Sequence, residues 1–354
     1  MPVLTDVPAP WEPALGTAQH DLVFYSMVVA GLALFAQFVR TWNSTSEVSP
    51  RYRSAVYASL CVTGVAFLAY LYLVVKFDSA YVFDGTSYVP TDEARNTYLP
   101  RYMDWSVTVP LLVVELLALS ALKGAAARTM RFVAMASAFL MIFTGFLGAG
   151  IIGSGRSSAA LLVWGIISTV FYVVLYVVVI RMLRASKGEM SAQAYASYRN
   201  AVILLLSVWG WYPIAYAIHN WAAGSDATTI IQVGFSFADI AAKVGLGSLV
   251  HKVAKLRTAE DVAAGTETHP EPVWISSVKH SDGVQAEVKG LQSATRPFDG
   301  TGRRSDDTAP TGATGAAREA AHGGAHDQGR SDSRQGADQQ PTTRGRGEPG
   351  PRRR

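Results

Sequence analysis

Seven long apolar runs alternate with short polar ones along this chain, at about 20–42, 51–76, 101–121, 130–152, 158–184, 199–221 and 228–255. Each can cross roughly 30 Å of hydrocarbon at 1.5 Å per residue. Inside lipid the backbone has to satisfy its own hydrogen bonds, so runs of this length are predicted to be helices. The expected fold class is an all-α membrane protein, a bundle of seven transmembrane helices. Connections are short except from Asp78 to Pro100, where Tyr81-Val-Phe and Ser87-Tyr-Val alternate as the arms of a small hairpin do. Pro100 suits the first turn of helix three.

Composition agrees with this pattern. Hydrophobic residues make up 49% of the chain and charged ones only 16%, against about 25% charged in soluble proteins. The deficit lies before residue 256. Residues 256–354 are rich in Gly, Ala, Ser and Thr, with as many basic as acidic side chains and few large apolar ones. Such a segment buries too little apolar surface to offset chain entropy, so disorder is expected there. One patch, Pro272 to Val278 around Trp274, has the composition of a short docked element, and the basic end Arg352–Arg354 is expected to be solvated. The organisation is thus a segment 1–19, a bundle 20–255 and a tail 256–354. Met1–Asp21 has neither the basic start nor the apolar stretch of a secretory signal, so the first helix is expected to direct insertion. A single cysteine, Cys61, allows no intrachain disulfide. The lipid bilayer is the partner implied; no metal site and no nucleic-acid partner are expected.

Orientation follows from the basic residues. Arg40, Arg51, Arg53, Lys123, Arg128, Arg131, Arg181, Arg184, Lys187 and Arg199 flank the loops after helices one, three and five. The opposite side carries Asp6, Glu12, Asp78, Asp84, Asp92, Glu93 and Asp226. The positive-inside rule places the N-terminus outside and the tail in the cytoplasm, with the cell membrane as the location.

Ionisable residues at membrane depth are costly, so each is a candidate functional group. Helix three carries Arg101, Asp104, Thr108 and Glu115. At about 100° per residue, Thr108 lies about 40° and Glu115 about 20° from Asp104, so the four share one face. Asp104 and Glu115 stand about 16 Å apart along the axis, a spacing suited to two stations of a proton path. Polar glue between helices is the alternative for this helix taken alone. Helix seven carries Asp239 and Lys243, four residues apart on one face. Lys243 is too deep to snorkel to the headgroups. An amine held there is better explained as a Schiff base to a carbonyl ligand than as half of a structural ion pair. Asp104 and Asp239 would neutralise the protonated imine, with Arg101 balancing their charge.

Arg-Tyr-x-Asp-Trp-x-x-Thr-x-Pro-Leu from Arg101, Trp-x-x-Tyr-Pro from Trp209, and Asp-x-x-x-Lys-x-Gly from Asp239 resemble the microbial rhodopsins, over about residues 20–255. The resemblance implies all-trans retinal in the bundle core, bound to Lys243. Trp105, Leu112, Met141, Gly145, Trp209, Tyr212 and Pro213 match the retinal-pocket pattern, with Leu112 at the position implying green absorption. Ordinary interhelical packing is the alternative for these side chains. The Asp104, Thr108 and Glu115 set resembles outward proton pumps of the proteorhodopsin and xanthorhodopsin type. That implies Asp104 as primary acceptor, Glu115 as cytoplasmic donor, and a transporter rather than an enzyme. The chloride-pump and sodium-pump patterns are not present at these positions.

The chain departs from the proteorhodopsin pattern at Ala69, where a helix-two His would pair with the acceptor. It departs from the archaeal pattern at Trp221 and Ile231, where the acidic release pair would stand. Release through Asp226 or His219 is then open, with a plain interfacial role the alternative for His219. Gly165 replaces a bulky aromatic beside the retinal ring and resembles the xanthorhodopsin-type fenestration, which implies a carotenoid antenna; a small residue easing helix packing is the alternative. The family also implies a homo-oligomer, a trimer or pentamer. Light-driven outward proton pumping is the expected function. A photosensor signalling through the tail to an unidentified partner, or an inward pump, are the alternatives.

Overall fold

The computed structural model describes residues 6–283. Helix one (Thr17–Asn43) buries Val23, Met27, Ala30 and Leu34 on one stripe and exposes Leu22, Tyr25, Val29 and Leu32. An apolar outer face beside an apolar inner one is the mark of a helix whose solvent is lipid. The same holds for helix two (Arg53–Ala80) and helix five (Ser158–Ala185), which expose Leu68, Leu71, Val75, Val163, Ile166 and Val170. Consecutive helices pack side by side and helix seven closes back on helix one, which makes a ring. The seven apolar helices are those of a multi-pass membrane protein.

The loop from Asp78 to Pro100 holds the expected antiparallel hairpin, Tyr81–Phe83 paired with Tyr88–Pro90. Pro100 opens helix three (Pro100–Leu119). Its missing N–H costs nothing there, because the first-turn donors have no intrahelical partner.

Some boundaries differ from the apolar runs. Helix four begins at Gly124 rather than near 130: Ala125–Ala127 are strong helix formers, while Arg128 and Arg131 interrupt the apolar run there. It ends in a π turn, Leu147–Ile151, followed by a 3-10 turn, Ile152–Gly155. Helix six begins at Ala192, where the Ser191 hydroxyl accepts the Ala194 N–H. It breaks at Gly210 into Ala192–Trp209 and Trp211–Trp221. Pro213 lies four residues after Trp209 and has no N–H for that carbonyl, so the break has a local cause. Helix seven comprises Ser225–Asp239, a π turn Ile240–Gly245, and Leu246–Ala263.

Disorder expected from residue 256 onward is therefore corrected in part. Helix seven continues to Ala263 because Leu256, Ala259 and Val262 bury a further apolar stripe. The patch around Trp274 forms a hairpin, Val273–Ile275 with Val278–Ser281, and Ile275 packs with Leu256 and Ala194. The remainder of the tail, 284–354, lies outside the described residues.

Candidate functional site

The buried charges converge at mid-bundle. Lys243 Nζ donates to Asp104 Oδ2 at 2.5 Å and stands 3.4 Å from Asp239 Oδ1. Lys243 is 1% exposed and Asp239 is fully buried. A π turn, Ile240–Gly245, carries the lysine; such turns break the regular helical ladder and recur at functional sites.

The two carboxylates differ sharply in surroundings. Asp239 accepts from Tyr212 Oη at 2.6 Å and Trp105 Nε1 at 3.2 Å on Oδ1, and from Tyr70 Oη at 2.9 Å on Oδ2. Arg101 Nη1 lies 4.0 Å from Oδ2 and donates to Tyr70 Oη at 2.9 Å, while Arg101 Nε donates to Gln232. Asp104 has only the lysine: its Oδ1 is buried without a partner among the described residues. The Thr108 hydroxyl donates to the Asp104 backbone carbonyl, not to the carboxylate. Ala69 is half-buried and brings no polar atom to help. Introducing an imidazole by Ala69→His is expected to move the pH at which the retinal-loaded pigment changes colour. An absorption titration checks this, and an unmoved titration would mean the missing ring is irrelevant to Asp104. The groups interact closely, so the titration belongs to the cluster and not to one residue.

Glu115 is the second isolated acid. It is fully buried and neither oxygen has a partner among the described residues. Ionised, it would be an unpaired charge in a low-dielectric interior.

Beside Trp105 and Tyr212 lies a cavity of about 260 Å³ lined largely by apolar and aromatic side chains, among them Met141, Gly145, Trp209, Pro213 and Phe235. Seven sequence-predicted residues line it: Trp105, Met141, Gly145, Gly165, Trp209, Tyr212 and Pro213. Leu112 does not; it is buried in the adjoining core. Lys243 does not line the cavity either, but Trp105 and Tyr212 line it and also bind the Asp239 carboxylate that flanks Nζ. An elongated apolar group joined to this amine fits such a site: the walls are apolar and the polar atoms gather at one end.

Sequence reasoning missed Tyr70, Gln232 and Tyr216. Gln232 stands seven residues before Asp239, two helical turns along the same face, a usable signal. Tyr216 stands four after Tyr212 and packs on Gly165, where an added Cβ would come 2.9 Å from its ring. Tyr70 is one of several tyrosines in helix two and carried no such signal.

Residues 17–256 match the family model described as bacteriorhodopsin-like protein. Cruxrhodopsin-1 of Haloarcula argentinensis is 30% identical over 222 residues, 62% of this chain and 83% of that protein. Archaerhodopsin-3 of Halorubrum sodomense is 27% identical over 251 residues, 71% of this chain and 88% of that protein. Among solved structures, xanthorhodopsin, described as a light-driven ion pump with dual chromophore, is 31% identical with a TM-score of 0.62, covering 71% of this chain and 98% of that one. A thermophilic rhodopsin is 28% identical with a TM-score of 0.65, covering 70% and 98%.

Proposed function

The chain belongs to the bacteriorhodopsin-like family of light-driven ion pumps, whose chromophore is retinal, and we propose that it drives protons outward across the cell membrane. The observation that carries this is the division of labour among three buried acids around Lys243. Lys243 Nζ would hold retinal, which when bound would supply a light-driven isomerisation. Asp239 is occupied by Tyr212, Trp105 and Tyr70, so it serves as the fixed counter-charge. Asp104, with one free oxygen and a direct contact to Nζ, is the acceptor. Arg101 offsets the second negative charge. Glu115, buried on the same helix face with neither oxygen partnered among the described residues, returns a proton to Nζ. Thr108 braces the Asp104 backbone between the two stations.

Glu115 also weighs against a photosensor, which has no need of a buried proton store. Direction rests on orientation: Lys123, Arg128 and Arg131 lie at the Glu115 end of helix three and Glu12, Asp84 and Asp92 at the other, so the Glu115 end and the tail face the cytoplasm. Illuminated expressing cells in unbuffered medium are expected to acidify it, with the signal collapsed by a protonophore. Alkalinisation would mean inward transport, and no change would favour the sensor.

A carotenoid antenna is the second chromophore proposed. The cavity runs past Gly165 to Ile166 and Trp221, both well exposed on the outer surface. Retinal would therefore sit in a space continuous with the lipid side. Tyr216 against Gly165 narrows this opening without filling it. Purified pigment incubated with ring-bearing, hydroxylated carotenoids is expected to show carotenoid bands in the retinal fluorescence excitation spectrum. Gly165→Trp should remove them. Equal uptake by both proteins with no energy transfer would leave Gly165 as a seat for Tyr216 alone. Assembly as a trimer or pentamer is proposed with the family and is checked by native mass spectrometry.

A further inference from the structure

Arg101 leaves the Schiff-base cluster facing the end of the bundle opposite Glu115, and buried polar atoms without partners among the described residues gather there. They are Arg101 Nη2, Tyr98 Oη, His219 Nδ1 and Asn220 Nδ2. Isolated orphans are rare in folded proteins, and buried polar atoms grouped like this are normally bridged by water. Tyr98 precedes Arg101 by one turn of chain and its ring lies 6.1 Å from the His219 ring, edge to face. Trp11 covers both, with centroids 5.5 Å from Tyr98 and 6.4 Å from His219. Outside His219 stand Glu12 and Arg156, paired at 2.5 Å and partly exposed.

The state of the imidazole can be assigned. Its Nε2 lies 2.8 Å from the Gly155 carbonyl, and a carbonyl only accepts, so Nε2 carries the hydrogen. In the neutral ring Nδ1 is then a bare lone pair, buried and unpartnered among the described residues. Gly155 is built for this contact. Its φ of +74 suits glycine, and an added Cβ would come 2.5 Å from the Ala149 carbonyl and 2.8 Å from Trp11.

We propose that His219 is the proton-exit station of this pump, taking a proton on Nδ1 from the Arg101–Tyr98 side and passing it to the Glu12 surface. The proposal rests on the outward-pump reading and deepens it. A proton given up by the interior forms the Nδ1–H bond; the ring becomes imidazolium while Nε2–H stays on Gly155. Loss of the same Nδ1 proton to water or to the Glu12 carboxylate restores the neutral ring, so one proton leaves per cycle and nothing else is consumed. The charged and titratable groups around the ring are Tyr98 and Arg101 from helix three and its approach, Tyr216 on its own helix, Glu12 from the N-terminal segment and Arg156 from the loop before helix five. Glu12 is the one that stabilises the charged ring. The other candidate on this side, Asp226, is on the surface and accepts from Gln19 Nε2 at 2.6 Å, with no link inward among the described residues.

The test uses full-length, retinal-loaded protein in nanodiscs, flashed in the presence of a pH-sensitive dye, with isotope-labelled histidine for infrared difference spectra. The wild type is expected to show a transient imidazolium band that decays as the dye reports the proton. His219→Gln should keep the visible band and the deprotonation rate of Nζ, lose the imidazolium band, and delay proton appearance at least tenfold. External imidazole should recover part of the delay, and Glu12→Gln should prolong the imidazolium band. No histidine band in the wild type, or unchanged release timing in His219→Gln, overturns the exit station while outward pumping stands. A wild type that exports no proton at all sinks both. The wild-type infrared measurement decides the matter even if His219→Gln fails to fold.

Discussion

Lys243→Ala protein supplied with all-trans retinal will show no visible absorption band. The expectation follows from Nζ being the amine at mid-bundle, 1% exposed and held between Asp104 and Asp239. Arg101, the buried cation nearby, has no primary amine to replace it and is engaged with Tyr70 and Gln232. Stability must be separated from chemistry here. Deleting one partner of a buried ion pair costs about 3–5 kcal/mol, because the remaining charge is left unpaired. In Lys243→Ala two carboxylates would face Arg101 alone. The double variant Lys243→Ala/Asp104→Asn removes one of them and should recover part of the lost thermal stability while remaining colourless. A normal pigment from either variant, bleached by borohydride, would end the assignment of the chromophore to this lysine.

How much of this was legible in the sequence depends on what kind of signal each feature leaves. The seven spans were readable because lipid imposes its requirement on every residue of a long run, so the pattern does not depend on a single position. The convergence of Asp104, Asp239 and Lys243 was readable because ionisable groups at membrane depth are conspicuous against apolar neighbours. Helix ends were less so. Gly124–Thr129 and Ala192–Tyr198 are helical but made largely of small and polar residues, and Leu256 joins a buried stripe on which a hairpin folds back. The π turn at Lys243 leaves no trace in local composition. Tyr70 was invisible for a related reason: Tyr72, two residues on, is well exposed, while Tyr70 is buried and bonds Asp239. Which tyrosine faces inward is decided by how helix two packs on its neighbours, so a tertiary contact separates the two. Gln232, by contrast, stands out as an amide in an apolar run and could have been paired with Arg101 beforehand.

Asp104→Asn will abolish light-driven acidification, and Glu115→Gln will slow recovery without abolishing the first proton step. The two effects differ because the proposed roles set the groups at opposite ends of the cycle. Asparagine in place of Asp104 keeps the volume beside Nζ but offers no carboxylate, and Asp239 cannot substitute while three donors hold it. The visible band should survive, displaced, since Asp239 still neutralises the cation. Glutamine in place of Glu115 leaves Asp104 able to accept but removes the stored proton. Reprotonation must then draw on the solvent at that end of the bundle through a packed region of Leu112, Val113, Leu116 and Leu119. General acid catalysis by a positioned group is worth about 10²- to 10⁴-fold, so recovery should lengthen by roughly two orders of magnitude. Azide, a small diffusible acid and base, should restore part of the rate in Glu115→Gln. Flash photolysis read beside the pH of the medium separates the outcomes. If Glu115→Gln recovers at the wild-type rate, the buried acid is not the donor. If Asp104→Asn still acidifies the medium, the acceptor lies elsewhere, and the free oxygen on Asp104 has another explanation.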